Sequence, residues 1–224
     1  MPQGPYLPEG FRLHTPENRW VNTPAAMDQA AEEEQILEGI VTRCDCAHNL
    51  VVDCNGITGL IPRSEAALGL SSGRTREIAL LSRVGKPVCF QVIGEGDGQY
   101  LFSRARVQQK ALNYLMENLL PGDVICARVT HLEPFGAFVD IGCGLTSLVG
   151  IEHISVSRIA HPAERFYPGQ WIHVAVRGVD PSLGRVHLTH RELLGTWLEN
   201  ARRFSPGETV SGVVRGNEDY GVFV

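Results

Sequence analysis

The segment PGDVICARVTHLEPFGAFV, beginning at Pro121, returns as PGETVSGVVRGNEDYGVFV at Pro206, with an offset of 85 at every position and 7 of 19 residues identical. A gapless internal repeat constrains the chain strongly, because each copy must be one structural unit that the next reproduces. A weaker copy lies upstream. Val41-Thr42 matches Val129-Thr130 at an offset of 88, Val52-Asp53 matches Val139-Asp140 at 87, Val88 and Val92 match Ile172 and Val176 at 84, and Ser103 matches Thr189 at 86. Drifts of this size are what loop insertions and deletions produce.

Within the central copy the apolar residues recur with period two. Ile172, Val174 and Val176 alternate with His173, Ala175 and Arg177, and Val186 and Leu188 alternate with Arg185, His187 and Thr189. That is the pattern of half-buried strands. Breaks at Phe135-Gly136, Gly142-Cys143-Gly144 and Pro181-Ser182-Leu183-Gly184 predict strands near 123–132, 136–141, 146–150, 171–180 and 185–190, with a helical turn near 154–159. Five such strands left as an open sheet would expose their edges; closure into a small OB-type barrel removes them.

The expected fold is therefore all-β: tandem five-stranded OB-type barrels joined by short helices, after an N-terminal tail and helix. Residues 1–37 read as a loose, Pro- and Asn-rich tail over 1–24 and an amphipathic helix from Ala25 to Leu37. A first, degenerate barrel spans 38–105, with an enlarged helical insertion from Ser64 to Arg83. Spacings of three and four among Val107, Ala111, Leu112, Leu115, Met116 and Leu119 predict a connecting helix over 106–120. The second barrel follows at 121–190, and Leu193, Leu194, Trp197 and Leu198 predict another core-filling helix over 191–205. Residues 206–224 hold only the first two strands of a third repeat, which bury too little surface to be stable alone.

Charge and cysteine content exclude several function classes. Twenty basic and 25 acidic residues give a net charge of −5, which rules out a polybasic binder held on by bulk charge. Only Lys86 and Lys110 are lysines; the other eighteen are arginines, whose flat guanidinium stacks on rings and suits nucleic acid. The longest stretches without Asp, Glu, Lys or Arg, 141–151 and 166–176, are eleven residues each. A membrane-spanning helix needs about 18 or more. MPQGPYLPEG is not a secretory signal, so a cytoplasmic chain with no membrane partner and with free thiols is expected. Cys44, Cys46, His48 and Cys54 cluster in sequence, but no C-x-x-C pair occurs, and Cys126 and Cys143 sit in apolar runs, so no metal is expected. With no H-E-x-x-H, nucleophile elbow or Walker loop, neither catalysis, a cofactor nor a small-molecule substrate is expected. Gly94, Gly96 and Gly98 in GEGDG read as a hairpin turn.

Phe135 and Phe138 flank Gly136. Residues three apart on a regular strand face opposite ways, so both rings reach one face only if Gly136 permits a bulge or Phe135 lies on the turn. Ala137, Val139 and Ile141 already supply an inward-facing set, leaving the two rings as a platform on which bases can stack.

The ordered runs PGDVICARVTHLEPFGAFVDIG, LVGIEHIS, HVAVRGVD and GRVHLTHRE resemble the ribosomal S-one RNA-binding domain. HISVSRIAHPAERF and LTHRELLGTW resemble the tandem-repeat S-one proteins of Gram-positive bacteria. The resemblance covers 38–224, most strongly from 121 onward, and breaks off in a third repeat. It implies RNA contacts at Phe135, Phe138, His153, Asp180 and Arg185: His153 stacking or meeting phosphate, Asp180 holding a base edge or orienting Arg185, and Arg185 meeting the backbone. By the repeat, Tyr220 and Phe223 occupy the positions of Phe135 and Phe138. In the first copy His48, Val51 and Glu65 replace Phe135, Phe138 and His153, so that copy reads as a protein-docking module. The resemblance implies a non-catalytic binder of single-stranded mRNA on the small ribosomal subunit, contacting subunit proteins through residues 1–105. An RNA-decay or regulatory factor, or a protein-interaction adaptor, remains the alternative built from the same barrels.

Overall fold

Two five-stranded sheets carry the alternating segments. The computed structural model describes residues 2–70, 78–96, 98–212, 214 and 216–223. Helices α1 (Pro16–Trp20) and α2 (Pro24–Glu32) begin at Thr15 and Thr23, whose hydroxyls accept from the Asn18 and Ala26 N–H groups, with proline at the first helical position of each. Strands β1 (Leu37–Cys44), β2 (Leu50–Cys54), β3 (Ile57–Ile61), β4 (Pro87–Gly96) and β5 (Gln99–Ser103) close in the order β1-β2-β3-β5-β4. Between β3 and β4 lie a 3-10 turn at Arg63–Glu65 and α3 (Ile78–Leu81). Helix α4 (Arg104–Asn118) leads to β6 (Val124–Glu133), β7 (Gly136–Asp140), β8 (Thr146–Gly150), β9 (Trp171–Asp180) and β10 (Arg185–Thr189), in the order β10-β9-β6-β7-β8. Helix α5 (Trp197–Ala201) and a two-stranded hairpin, β11 (Gly216–Glu218) with β12 (Gly221–Phe223), follow. No helix among the described residues is long and apolar enough to cross a membrane.

The two sheets differ at one seam. In the first, β3 and β5 pair in parallel, Gly59 with Tyr100 and Leu60 with Leu101, and the barrel closes. Gly59 makes this approach possible: a Cβ there would lie 2.2 Å from the Phe102 ring, which stacks on Phe90 in the core. In the second sheet the strand registers place Ser147 and Val186 at the positions of Gly59 and Tyr100, and Leu188 at that of Phe102. No ladder forms there. Instead the Ser147 hydroxyl donates to the Val186 carbonyl at 2.6 Å. A side-chain bridge replaces a backbone seam, and the second barrel stays slightly open.

Several expectations are corrected. The N-terminal segment is not loose; it is wedged between the barrels. The Gln3 amide donates to the Cys126 and Ile141 carbonyls at 2.6 and 2.7 Å and accepts from the Cys126 N–H at 2.8 Å. Glu9, 3% exposed, takes Arg104 Nε at 2.6 Å and Nη2 at 3.0 Å, Arg83 Nη1 at 3.1 Å and the Cys89 N–H at 3.2 Å. Its own N–H donates to Asp140 at 2.8 Å, and its carbonyl accepts from Arg128 at 2.8 Å. Burial pushes the Glu9 pKa up, but Arg104, Arg83 and the Cys89 amide outweigh it and hold the carboxylate below its ordinary range. Burial and the adjacent Glu9 raise Asp140 to about 7, although the N–H groups of Glu9 and Gly142 favour its anion.

The expected helix from Ala25 to Leu37 stops at Glu32, because Glu34 turns into the left-handed region (φ 50°) and Leu37 is committed to β1. The insertion at Ser64–Arg83 carries only its short 3-10 turn and α3 among the described residues; 71–77 lie outside them. The helical turn expected at 154–159 gives way to 3-10 turns on either side, Ile151–His153 and Pro162–Glu164. The core-filling helix expected over 191–205 is broken at Gly195 (φ 79°). Its apolar side chains stay in solvent, Trp197 at 72%.

Replacing Glu9 with Ala leaves Arg104 buried without its partner. The expected loss is about 3–5 kcal/mol, read from denaturant melts of the full chain. A loss below about 1 kcal/mol, the size of an exposed pair, contradicts the assignment of Glu9 as the inter-barrel lock.

Candidate nucleic-acid interface

The turn between β6 and β7 decides where two aromatic rings point. Pro134 and Phe135 form the turn, and Gly136 opens β7. A Cβ at Gly136 would fall 2.5 Å from the Val149 carbonyl oxygen, so only glycine lets β7 meet β8 here. Phe135, on the turn, is 56% exposed, and the half-buried Phe138 lies edge to face with it, centroids 6.0 Å apart at 88°. The bulge lies on β6, between Val129 and His131. Beyond it, His131 pairs with Phe138 in register, and its ring stacks over the Phe138 ring at 6.3 Å and 24°. Leu148, opposite Phe138 on β8, extends the surface. Ala137, Val139 and Ile141 are buried beneath it.

Beside this platform a groove of about 550 Å³ runs along the open β8–β10 seam. Phe138, His153, Arg177 and Arg185 all line it, together with His187. Arg177 Nη1 hydrogen-bonds to His153 Nε2. With Nε2 accepting, the imidazole is neutral and carries its proton on Nδ1. Burial lowers the His153 pKa, and the Arg177 and Arg191 charges lower it further, against the pull of Glu152 and Glu192. The positive charge among the groove's lining residues thus resides on Arg177 and Arg185, with the Glu152 carboxylate 3.4 Å from His153 Nε2 as a counter-charge. Such a surface can stack planar rings and neutralise a flanking anion.

The remaining predicted residues fare differently. Asp180 turns its carboxylate onto the loop that follows it, accepting from the Ser182 and Leu183 N–H groups at 3.0 and 3.2 Å and from the Ser182 hydroxyl at 2.6 Å. These bonds, the hydroxyl's first, lower its pKa. It pairs in register with Arg185, and its carboxylate caps the turn that leads to that residue. Tyr220 is 82% exposed on the turn of the β11–β12 hairpin, far in sequence from any complete sheet. Phe223 lies in β12, and its side chain falls outside what is described. In the first barrel, Val51 is half-buried at the Phe138 position, and Glu65 accepts from the Ser103 hydroxyl that also caps α4. Sequence reasoning missed Arg177 and His131. Arg177 was legible as an outward residue of β9; His131 depends on a bulge that leaves no mark in composition.

Residues 120–191 match the family model of the S1 RNA binding domain. The second barrel is an S1 domain. Over a wider span the chain is similar to small ribosomal subunit protein bS1 of Leuconostoc lactis, 31% identical over 183 residues, which is 78% of this chain and 41% of that protein. It is 27% identical over 203 residues to bS1 of Staphylococcus aureus (strain COL), covering 88% and 50% of the two. With bS1 of Neisseria meningitidis serogroup B (strain ATCC BAA-335 / MC58) it shares 32% over 207 residues, covering 89% and 35%. The chain spans half or less of the length of these relatives.

In the S1 barrel the Arg177–His153 contact has a titration signature. Arg177→Ala should raise the His153 pKa toward its ordinary 6.5, followed by NMR of the imidazole across pH. Because the folded pKa is depressed, this histidine contributes stability above 6.5 that is lost as pH falls through the folded value. The variant should narrow that window. An unchanged or lowered His153 pKa contradicts the contact.

Proposed function

We propose that this chain binds single-stranded RNA, without catalysing a reaction, through the aromatic platform and open groove of its S1 barrel, and that it does so as an mRNA-capturing component of the small ribosomal subunit in the cytoplasm. The observation that carries the RNA reading is the joining of Phe135, Phe138 and His131 to Arg177 and Arg185 across one face. Exposed rings accept unpaired bases of any sequence, and two guanidiniums meet the backbone between them. Phe135, Phe138, His153 and Arg185 are proposed as direct contacts, Asp180 as the residue that sets the Arg185 turn, and Tyr220 and Phe223 as a second aromatic pair. The ribosomal part rests on the bS1 relatives, whose name places those proteins in the small subunit.

The first barrel favours a different task. Its seam is closed by backbone pairing, Val51 stands where the second barrel has the Phe138 ring, and its Glu65 is bound internally. We assign residues 1–105 to contact with ribosomal proteins.

Phe135→Ala and Phe138→Ala should each weaken binding of a single-stranded oligomer by about 1–3 kcal/mol, measured by fluorescence anisotropy. Phe135→Ala should leave the melting temperature nearly unchanged, since its ring is exposed. Unchanged affinity in both variants overturns the platform. Co-sedimentation with small ribosomal subunits, with and without an RNA competitor, separates the ribosomal role from an RNA-decay or regulatory one: RNA binding without co-sedimentation favours the latter.

A further inference from the structure

The groove of the S1 barrel is not built by the S1 domain alone. Leu112, Leu115 and Met116 of α4 line it, and all three precede residue 120, where the family match begins. The helix divides along its length. Val107, Gln108 and Ala111 are buried, and Leu68 N–H of the first barrel's insertion donates to the Gln108 amide at 2.8 Å. One turn later Leu112 and Met116 are only half-buried, and with Leu145 and Leu148 they supply the apolar part of the groove lining. Leu112 also packs on the β9–β10 turn, its methyls 3.6 Å from where a Cβ on Gly184 would sit. The groove is therefore chemically divided: α4 gives it an apolar end, Arg185 adjoins the Gly184 turn on which Leu112 packs and so sets a cation beside that end, and Arg177 and Glu152 lie at His153.

A groove that held only a sugar-phosphate backbone would have no use for the apolar end. We infer that the apolar end takes one unpaired nucleobase of the bound strand, inserted between α4 and the β8–β10 seam, while its phosphate lies toward Arg177 and Arg185. The inference rests on the RNA reading above and deepens it. A base is a flat, weakly polar ring with hydrogen-bonding edges. Leu112 and Met116 offer it an apolar and polarizable face, and the exposed Thr146 at the rim offers a hydroxyl to its edge. Continuity supports the same occupant, because Phe138 and Leu148 belong to both the platform and the groove. The linker helix, fixed to the first barrel by its N-terminal half, then becomes part of the RNA site of the second.

The test uses the full chain and two probes of equal length, a uridine oligomer and an abasic ribose-phosphate oligomer. Met116→Trp, which fills the apolar end, should lower affinity for the uridine strand at least fivefold more than for the abasic strand. Arg185→Ala should lower both. An equal effect of Met116→Trp on the two strands, or none, overturns the base-insertion proposal. Because a tryptophan here also changes the packing, the wild-type chain is irradiated with a strand containing 4-thiouridine and the adduct mapped by mass spectrometry. An adduct within residues 112–116 supports the proposal. Adducts confined to the Phe135–Phe138 region overturn it while leaving the RNA reading intact. Failure of the wild type to bind the uridine strand at all overturns both.

Discussion

A five-stranded sheet becomes a sealed barrel only where two particular strands bring their backbones within hydrogen-bonding reach, and that approach depends on what stands between them. In the first barrel glycine at 59 leaves space that Phe102 fills, and the backbone ladder to Tyr100 forms. In the second, Ser147 keeps a side chain in the seam, Leu188 replaces the larger ring, and a hydroxyl bridge to Val186 stands where the ladder would be. At this seam the barrels differ by Gly and Phe against Ser and Leu, and the backbone ladder forms where the glycine stands. The cationic and aromatic residues that give the groove its chemistry are gathered along the open seam.

The relation between the barrels rests on a second feature, the polar segment wedged between them. Glu9 is buried as a charge because Arg104 and Arg83 are buried with it. Burial of such a pair is costly in isolation and tolerable only when every oxygen is bonded. Both Glu9 oxygens are, and the backbone of the same residue reaches Asp140 and Arg128 of the second barrel. Arg104 is also the first residue of α4. The lock therefore anchors the helix whose other end lines the groove.

Much of this architecture was legible in the sequence. The strands of the second barrel lie within a residue or so of where alternation and glycine breaks put them, because the inward positions of β6, β9 and β10 recur with period two over most of their length. The aromatic turn was legible for the same reason: Ala137, Val139 and Ile141 already filled the inward positions. The N-terminal segment was not. Gln3 and Glu9 are polar residues in a Pro-rich stretch, and what buries them is backbone and arginine roughly 80 to 140 residues away, a contact with no periodic trace. The apolar side chains at 193–198 misled in the opposite direction. Helical spacing signals an apolar face, but not that a surface waits to cover it.

The central claim is that the open seam, and not the barrel fold shared by both halves, makes the RNA site. Hydrogen exchange of the full chain with and without a saturating uridine oligomer tests it most directly. RNA should protect amides at 135–153 and 177–187 and in the second half of α4, and leave β2 and β3 of the first barrel unchanged. Comparable protection across Leu50–Ile61 would contradict it.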